Sequence, residues 1–230
     1  MTKDLDNWRS SRKSRHLPAS EFYYIFCEGE KTEFNYFMRF KELINENPIY
    51  KNRVTVKPEG TGRNTRSLLD YAQTIVKKKN VVNAKVWCVY DKDDFSDVDF
   101  NGVITEAKKL NSKRQCGNEF YCAWSNECIE FWFLLHFCNM TSNINRQLYS
   151  KKLSEFLEVK YKKNLENIFD LLLEKGNPCL AIRYANNILN EGWESLPSEI
   201  CPGTTVQNLV CCLAKYLPEE IKKRFLGSEK

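Results

Sequence analysis

Phe22-Tyr23-Tyr24-Ile25-Phe26-Cys27-Glu28-Gly29-Glu30 and Val86-Trp87-Cys88-Val89-Tyr90-Asp91-Lys92-Asp93-Asp94 decide how this chain folds. Each is a short run of aromatic and aliphatic residues that breaks off in a cluster of carboxylates. Runs of this length and composition are buried strands. In an α/β sheet, ligands bind in the crevice at the carboxyl ends of the strands. Two acidic groups delivered there from separate strands form a natural site for hard divalent cations. The pair therefore points to metal-dependent phosphate chemistry.

Outward from these runs, Arg53 to Lys57 alternates as a second strand and Phe120 to Trp124 reads as a fourth. Between them the apolar spacing switches to the helical period. A helix from Thr32 to Asn45, with Thr32 as its N-cap, carries Phe34, Phe37, Met38 and Ile44. A helix from Ser67 to Lys79 carries Leu68, Leu69, Ala72, Ile75 and Val76, and one from Asn101 to Asn111 carries Val103, Ile104, Ala107 and Leu110. Glu59 to Asn64 is a turn-rich loop. The alternation of strand and helix predicts a parallel sheet with helices on its faces. From Glu127 onward the pattern is helical, first as an almost wholly apolar run over 127–137, then near 147–158, 164–175, 178–190 and 204–216, with Gly176, Pro178, Gly192, Pro197 and Pro202 as punctuation. The expected class is α/β, Rossmann-like. A flexible basic arm (1–20) precedes a catalytic core (21–140), and a helical C-terminal extension (141–230) packs on that core.

Composition narrows the class. Apolar residues make up 42% of the chain and aromatics 13%, enough for a real core. No apolar run approaches the roughly 18 residues of a membrane span, and no hydrophobic segment follows the polar N-terminus, so neither a span nor a secretory signal is expected. The ten cysteines form no CxxC pair, and only His16 and His136 could help them hold zinc. Buried reduced thiols in a cytoplasmic protein are the expectation. The net charge of +5 permits nucleic-acid binding without requiring it. Arg9, Arg12, Lys13, Arg15 and His16 crowd the N-terminal arm, where they either neutralise phosphates or form a solvated tail.

The candidate chemistry rests on a few side chains. Glu28 stands where the first strand ends, and Gly29 lets the chain turn sharply. Asp91 and Asp93 stand two apart, so in an extended segment both carboxylates face one ion. Mg²⁺ takes one or two protein carboxylates and fills its shell with water and phosphate oxygens, so three acids suffice for one ion or two. Alone, the Asp-rich stretch reads equally well as a solvated turn; its coincidence with Glu28-Gly29 on another strand gives it weight. Glu130 lies in the apolar helical run, where a buried carboxylate must meet a cation, a metal or strong donors; a structural ion pair is its bland alternative. Glu127 reads as a helix-dipole partner. Lys31 and Lys92 could touch a substrate phosphate, or be ordinary surface lysines. Gly60-Thr61-Gly62-Arg63 precedes a helix and could contact a phosphate backbone, with Arg63 as its cation, but it lacks the Walker spacing for ATP. His136 reads as a core histidine.

Phe26-Cys27-Glu28-Gly29-Glu30-Lys31-Thr32-Glu33, then Val89-Tyr90-Asp91-Lys92-Asp93-Asp94-Phe95, then Ser125-Asn126-Glu127-Cys128-Ile129-Glu130-Phe131-Trp132-Phe133-Leu134-Leu135-His136-Phe137 resemble the RloB family, also called AbiL-type, within the Toprim group. Cys201-Pro202-Gly203-Thr204-Thr205-Val206 resembles a further family segment that usually begins Asn-Pro, so Cys201 is a small departure. The resemblance implies a Toprim-like sheet. It implies Glu28 as general acid/base or metal ligand, Asp91 and Asp93 as Mg²⁺ ligands, Asp94 as an additional acid, and Glu130 as a second-ion ligand. The chain is too short for a topoisomerase's tyrosine domain and lacks primase-specific regions, which leaves hydrolytic nuclease chemistry.

The expected protein is thus a nuclease dependent on one or two Mg²⁺ or Mn²⁺ ions. It would cut DNA or RNA, with tRNA among the candidates. By resemblance its role would be anti-phage abortive infection beside an RloA/AbiLi-type ATPase, with homo-oligomerisation open. One rival is a non-catalytic Toprim module that binds nucleic acid or a partner. Another is an aspartyl-nucleophile phosphatase, since Val89-Tyr90-Asp91-Lys92-Asp93 matches the start of that fold. That fold, however, places the motif on its first strand.

Overall fold

The computed structural model describes residues 20–113, 115–142, 144–192 and 194–227. The basic arm expected over 1–20 lies outside the described residues except for Ser20. Five strands form one sheet in the order β2-β1-β3-β4-β5: β1 (Glu21–Cys27), β2 (Val54–Gly60), β3 (Ala84–Asp91), β4 (Glu119–Asn126) and the short β5 (Gly203–Thr204). The first four are parallel, and β5 runs antiparallel against β4, with Ser125 opposite Thr204. This is the α/β architecture that the alternation predicts.

Both faces of the sheet are covered, so the central strands β1 and β3 are apolar on both sides, while the edge strand β2 alternates. On one face, Tyr23, Ile25, Cys27, Trp87 and Val89 pack with α1 (Thr32–Glu46). On the other, Tyr24, Phe26, Val86, Cys88 and Tyr90 meet α2 (Thr65–Lys78) and α3 (Asp97–Lys113). Residues two apart along a strand share a face, and the two clusters divide β1 and β3 accordingly.

The C-terminal half is helical: α4 (Ile129–Leu134), α5 (Arg146–Leu157), α6 (Ile168–Lys175), α7 (Pro178–Glu191), α8 (Val206–Ala214) and α9 (Glu219–Leu226). Their apolar residues join the α1 side of the core. Phe40, Phe169 and Phe225 meet there, with the Phe40 and Phe169 ring centroids 4.9 Å apart.

Several local expectations change. The apolar run 127–137 is helical only over Ile129–Leu134, all six of whose residues are buried. The turn-rich loop yields Glu59 and Gly60 to β2, which pairs through to Cys27. Thr32 is the first helical residue of α1 rather than its cap, and its hydroxyl donates to the carbonyl of Lys163. The face of α1 that is buried is Glu33, Tyr36, Phe37, Phe40, Leu43 and Ile44, while Phe34 and Met38 are half-buried.

Every cysteine among the described residues is a free thiol. Burial pushes the Cys27 and Cys88 thiols well up from their ordinary range, as befits small apolar core residues. His136 is a core residue, its Nδ1 3.1 Å from the carbonyl of Trp132, and burial holds its pKa down at about 4. Among the described residues no helix is long and apolar enough to cross a membrane.

Candidate functional site

The chain runs from β1 through α1 to β2 on one side, then crosses under β1 to β3 on the other. The seam between β1 and β3 is therefore the point where strand order reverses, and there the loops diverge to leave a crevice. Glu28 follows β1 and Asp91 ends β3, so the two acids stand on either bank of that crevice.

They are tied together. The backbone N–H of Asp91 donates to Glu28 Oε2 at 3.1 Å, and the Thr65 hydroxyl, at the start of α2, donates to the same carboxylate at 3.0 Å. Thr65 is fully buried, and Asn64 caps its helix by accepting from Ser67 N–H. Burial nevertheless raises the Glu28 pKa, with the two donors opposing it.

After Asp91 the chain turns at once. Lys92 N–H bonds Ser125 O at 2.8 Å, Asp93 N–H bonds Glu127 O at 3.1 Å, and Asp93 adopts a left-handed φ of 38°. Aspartate tolerates that conformation. The extended Asp91–Asp93 geometry expected from the two-residue spacing is thus replaced by a turn pinned to β4. Asp91 and Asp93 still line one cavity of about 380 Å³ with Glu28, Glu30, Lys31 and Glu33.

Glu33 was not singled out by the sequence reading. It lies in the first turn of α1, 5% exposed, and its Oε2 has no hydrogen-bond partner. Its pKa is pushed up to about 7, first by burial and then by the charges of Glu130 and Glu28. A helical signal existed: Glu33, Phe37, Phe40 and Ile44 follow the spacing of a single apolar stripe.

Glu130 is 2% exposed at the start of α4 and lines an adjacent cavity with Glu127, Arg146 and Lys163. Lys163 also lines the Glu28–Asp91 cavity, so the two spaces adjoin. Tyr161 donates its hydroxyl to Glu130 Oε1 at 3.1 Å, while Oε2 is unpartnered. Asp91 is pushed well above the ordinary carboxylate range by burial and by the charges of Glu33, Glu130, Asp93 and Glu28. One electrostatic cluster therefore contains five carboxylates.

Arg146, also unforeseen, opens α5 and pairs with Asp93 at 2.6 Å. No sequence periodicity could have found it, because the contact joins the sheet to a helix far along the chain.

The remaining candidates stand apart. Lys31 is exposed and lines the acidic cavity. Lys92 turns away, bonded to the Phe95 carbonyl and paired with Asp97 at 3.2 Å. Arg63 lies over the Tyr71 ring, 4.1 Å from its centroid, and Asp94 is exposed; neither lines the acidic cavity. Gly60 and Gly62 do serve the site. A Cβ on Gly60 would stand 2.6 Å from the Glu30 carbonyl oxygen, and Gly62, at φ 61°, abuts the Glu30 carboxylate.

Among the described residues no three His, Cys, Asp or Glu side chains are grouped so as to hold a metal ion as they stand. The chemistry of the donors, rather than their present spacing, is what suits a divalent ion. Buried carboxylate oxygens of Glu33, Asp91 and Glu130 lack hydrogen-bond partners, and an unpaired buried carboxylate is costly unless it meets a cation. Hard oxygen donors around a solvent-accessible cavity suit Mg²⁺ or Mn²⁺, with water and phosphate oxygens completing the shell.

No curated protein and no solved structure matches the chain. The family model described as RloB-like protein matches residues 23–213, a span that takes in the sheet, the five carboxylates and α8. This chain belongs to the RloB-like family.

Proposed function

We propose that the chain is a Mg²⁺- or Mn²⁺-dependent nuclease that hydrolyses phosphodiester bonds in DNA or RNA, tRNA included. The observation that carries this reading is the set of five clustered carboxylates at the strand-order reversal, three of them with unpartnered buried oxygens. Membership of the RloB-like family supports a role in defence; we propose with it a cytoplasmic, anti-phage setting and an RloA/AbiLi-type ATPase as partner.

Asp91, Asp93 and Glu33 would hold the first ion, and Glu130 would serve a second. The bound ion would supply Lewis-acid stabilisation of the phosphate and a more acidic water. Glu28 has a different role. Its carboxylate is fixed by Thr65 and by the Asp91 N–H, and burial raises its pKa, which favours its taking up and returning a proton. Lys31, which lines the cavity, would meet a phosphate oxygen. Arg63, set further out, would grip the nucleic-acid backbone and position it rather than touch the reacting atoms.

The test combines Mg²⁺ and Mn²⁺ calorimetry with end-sequencing of total RNA and DNA, comparing wild type with Asp91→Asn, alone and with the neighbouring ATPase. The expected result is ion binding and new ends, both lost in Asp91→Asn. Cleavage that survives EDTA and this variant overturns the reading. Ion binding without cleavage under any condition favours a nucleic-acid-binding module.

A further inference from the structure

The five carboxylates are not matched by five cations. Among the described residues, Arg146 is the side chain that makes an ion pair with the cluster, through Asp93 at 2.6 Å. It also feels the charges of Glu130 and Asp91. Lys163 borders both cavities and lowers the Glu33 carboxyl by its charge, while its own backbone carbonyl is held by Thr32.

Arg146 is unusual in its origin and exposure. The acids come from strand ends and from the starts of α1 and α4, whereas Arg146 comes from the first turn of α5, packed from the C-terminal helical half. Its side chain is 34% exposed, so it can leave Asp93 without unpacking the core. It lines the cavity of about 550 Å³ that adjoins the acidic one. Asp93 can serve Arg146 or a metal ion fully, but not both with the same oxygen, because the guanidinium stands against Oδ1. A planar guanidinium also matches two phosphate oxygens at once.

We propose that Arg146 is an exchangeable cation: it occupies Asp93 in the metal-free protein, and when a divalent ion takes that carboxylate it turns to bind a substrate phosphodiester. This rests on the metal-dependent reading of the site and names a residue that couples metal loading to substrate binding. Because an ion and Arg146 compete for Asp93 Oδ1, loading the ion there and freeing the phosphate ligand become coupled events. Substrate grip is weak until the site is loaded, which is a useful safeguard for a nuclease.

The two halves of the proposal have opposite signs in a single variant, and binding reads them without turnover. In Arg146→Gln, Mn²⁺ binding followed by calorimetry should tighten severalfold, because a competing charge is gone. Binding of a fluorescent single-stranded oligonucleotide with Ca²⁺, a non-catalytic ion, should weaken by roughly tenfold, the scale of a lost charge-assisted contact. In EDTA, Asp93→Asn should bind the oligonucleotide more tightly than wild type, and the double variant Asp93→Asn/Arg146→Gln should lose that gain.

A thermal melt in EDTA accompanies each variant; loss of the melting transition in Arg146→Gln leaves Asp93→Asn and Arg146→Lys, which keeps the charge, to decide. Arg146→Lys should preserve ion competition and lose part of the oligonucleotide affinity. A purely structural Arg146 would leave metal affinity unchanged or reduced, and either result overturns the proposal. If Asp91→Asn leaves Mn²⁺ binding intact, the metal site itself fails, an outcome separate from the failure of Arg146.

Discussion

Glu28 accepts a hydrogen bond from the backbone N–H of Asp91 at 3.1 Å, directly across the seam between β1 and β3. That bond fixes the distance between the two acid-bearing strand ends without using the carboxylate of Asp91. Asp91 is left with an unpartnered buried oxygen, and Glu28 keeps its second oxygen for Thr65 or a ligand. Loop positions held by a rigid sheet in this way gain precision.

Thr65→Val tests that clamp. The substitution removes the hydroxyl that donates to Glu28 at 3.0 Å while keeping the shape of the side chain. Glu28 would keep only the backbone donors of Asp91 and Thr65, and its carboxyl would rise further. We expect a loss of about 1 kcal/mol in urea denaturation and an activity profile whose acid limb shifts to higher pH. An unchanged pH profile would separate Thr65 from the proton-transfer group.

Glu33→Gln should stabilise the protein in EDTA while weakening metal binding. In the folded chain Glu33 holds its proton up to about pH 7, above its unfolded pKa. Folded protein therefore binds more protons than unfolded protein between about pH 4.5 and 7, so stability falls as pH rises through that window. His136 acts in the opposite sense at the acid end: with its pKa held down at about 4, it costs stability as pH falls below its ordinary value. Comparing melting temperatures of wild type and Glu33→Gln across pH 5 to 8 isolates the carboxyl. Their difference should grow toward pH 8 in EDTA and shrink with excess Mg²⁺; a pH-independent difference would count against a charged Glu33.

How much of this was legible differs from residue to residue. Strand β2 was legible from its alternation, with Val54 and Val56 buried, while β1, β3 and β4 could be read because each is a short, largely apolar run ended by acids or Asn. Glu28, Asp91 and Asp93 were legible for the same reason. Strand β5 was not, because two residues carry no periodicity and pair only because Thr204 and Thr205 bond Trp124. Helix α9 is mostly charged and owes its place to the burial of Phe225. Glu33 was legible in principle as a charge within an apolar stripe. The Arg146–Asp93 pair depends on tertiary packing that no local pattern encodes.

Gly60→Ala should damage the site without touching an acid. Its Cβ would sit 2.6 Å from the Glu30 carbonyl oxygen, a backbone atom that cannot swing aside. The Glu28-Gly29-Glu30 turn would have to shift. A cost of about 1–3 kcal/mol is expected, as for overpacked interiors. Calorimetry should also show weakened Mn²⁺ binding. Normal metal affinity in a destabilised variant would show that the turn tolerates displacement.

Tyr161→Phe addresses the second cavity. Tyr161 supplies the hydrogen bond to Glu130 Oε1, and Oε2 already has no partner. Without the hydroxyl, a 2% exposed carboxylate would have neither oxygen bonded, unless a metal ion is bound. Removing one partner of a buried charged group costs about 1–3 kcal/mol, so the metal-free variant should unfold at lower urea than wild type. The decisive comparison is with Mn²⁺ present. If Glu130 holds an ion, loading should recover most of the lost stability, because the ion replaces the missing donor. If Glu130 is only a structural acid tied to Tyr161, the deficit will be the same with and without Mn²⁺. Glu130→Gln completes the argument: a neutral amide needs neither ion nor tyrosine charge-assistance, so on this background Tyr161→Phe should cost far less, and Mn²⁺ should add no stability beyond that conferred through Asp91, Asp93 and Glu33.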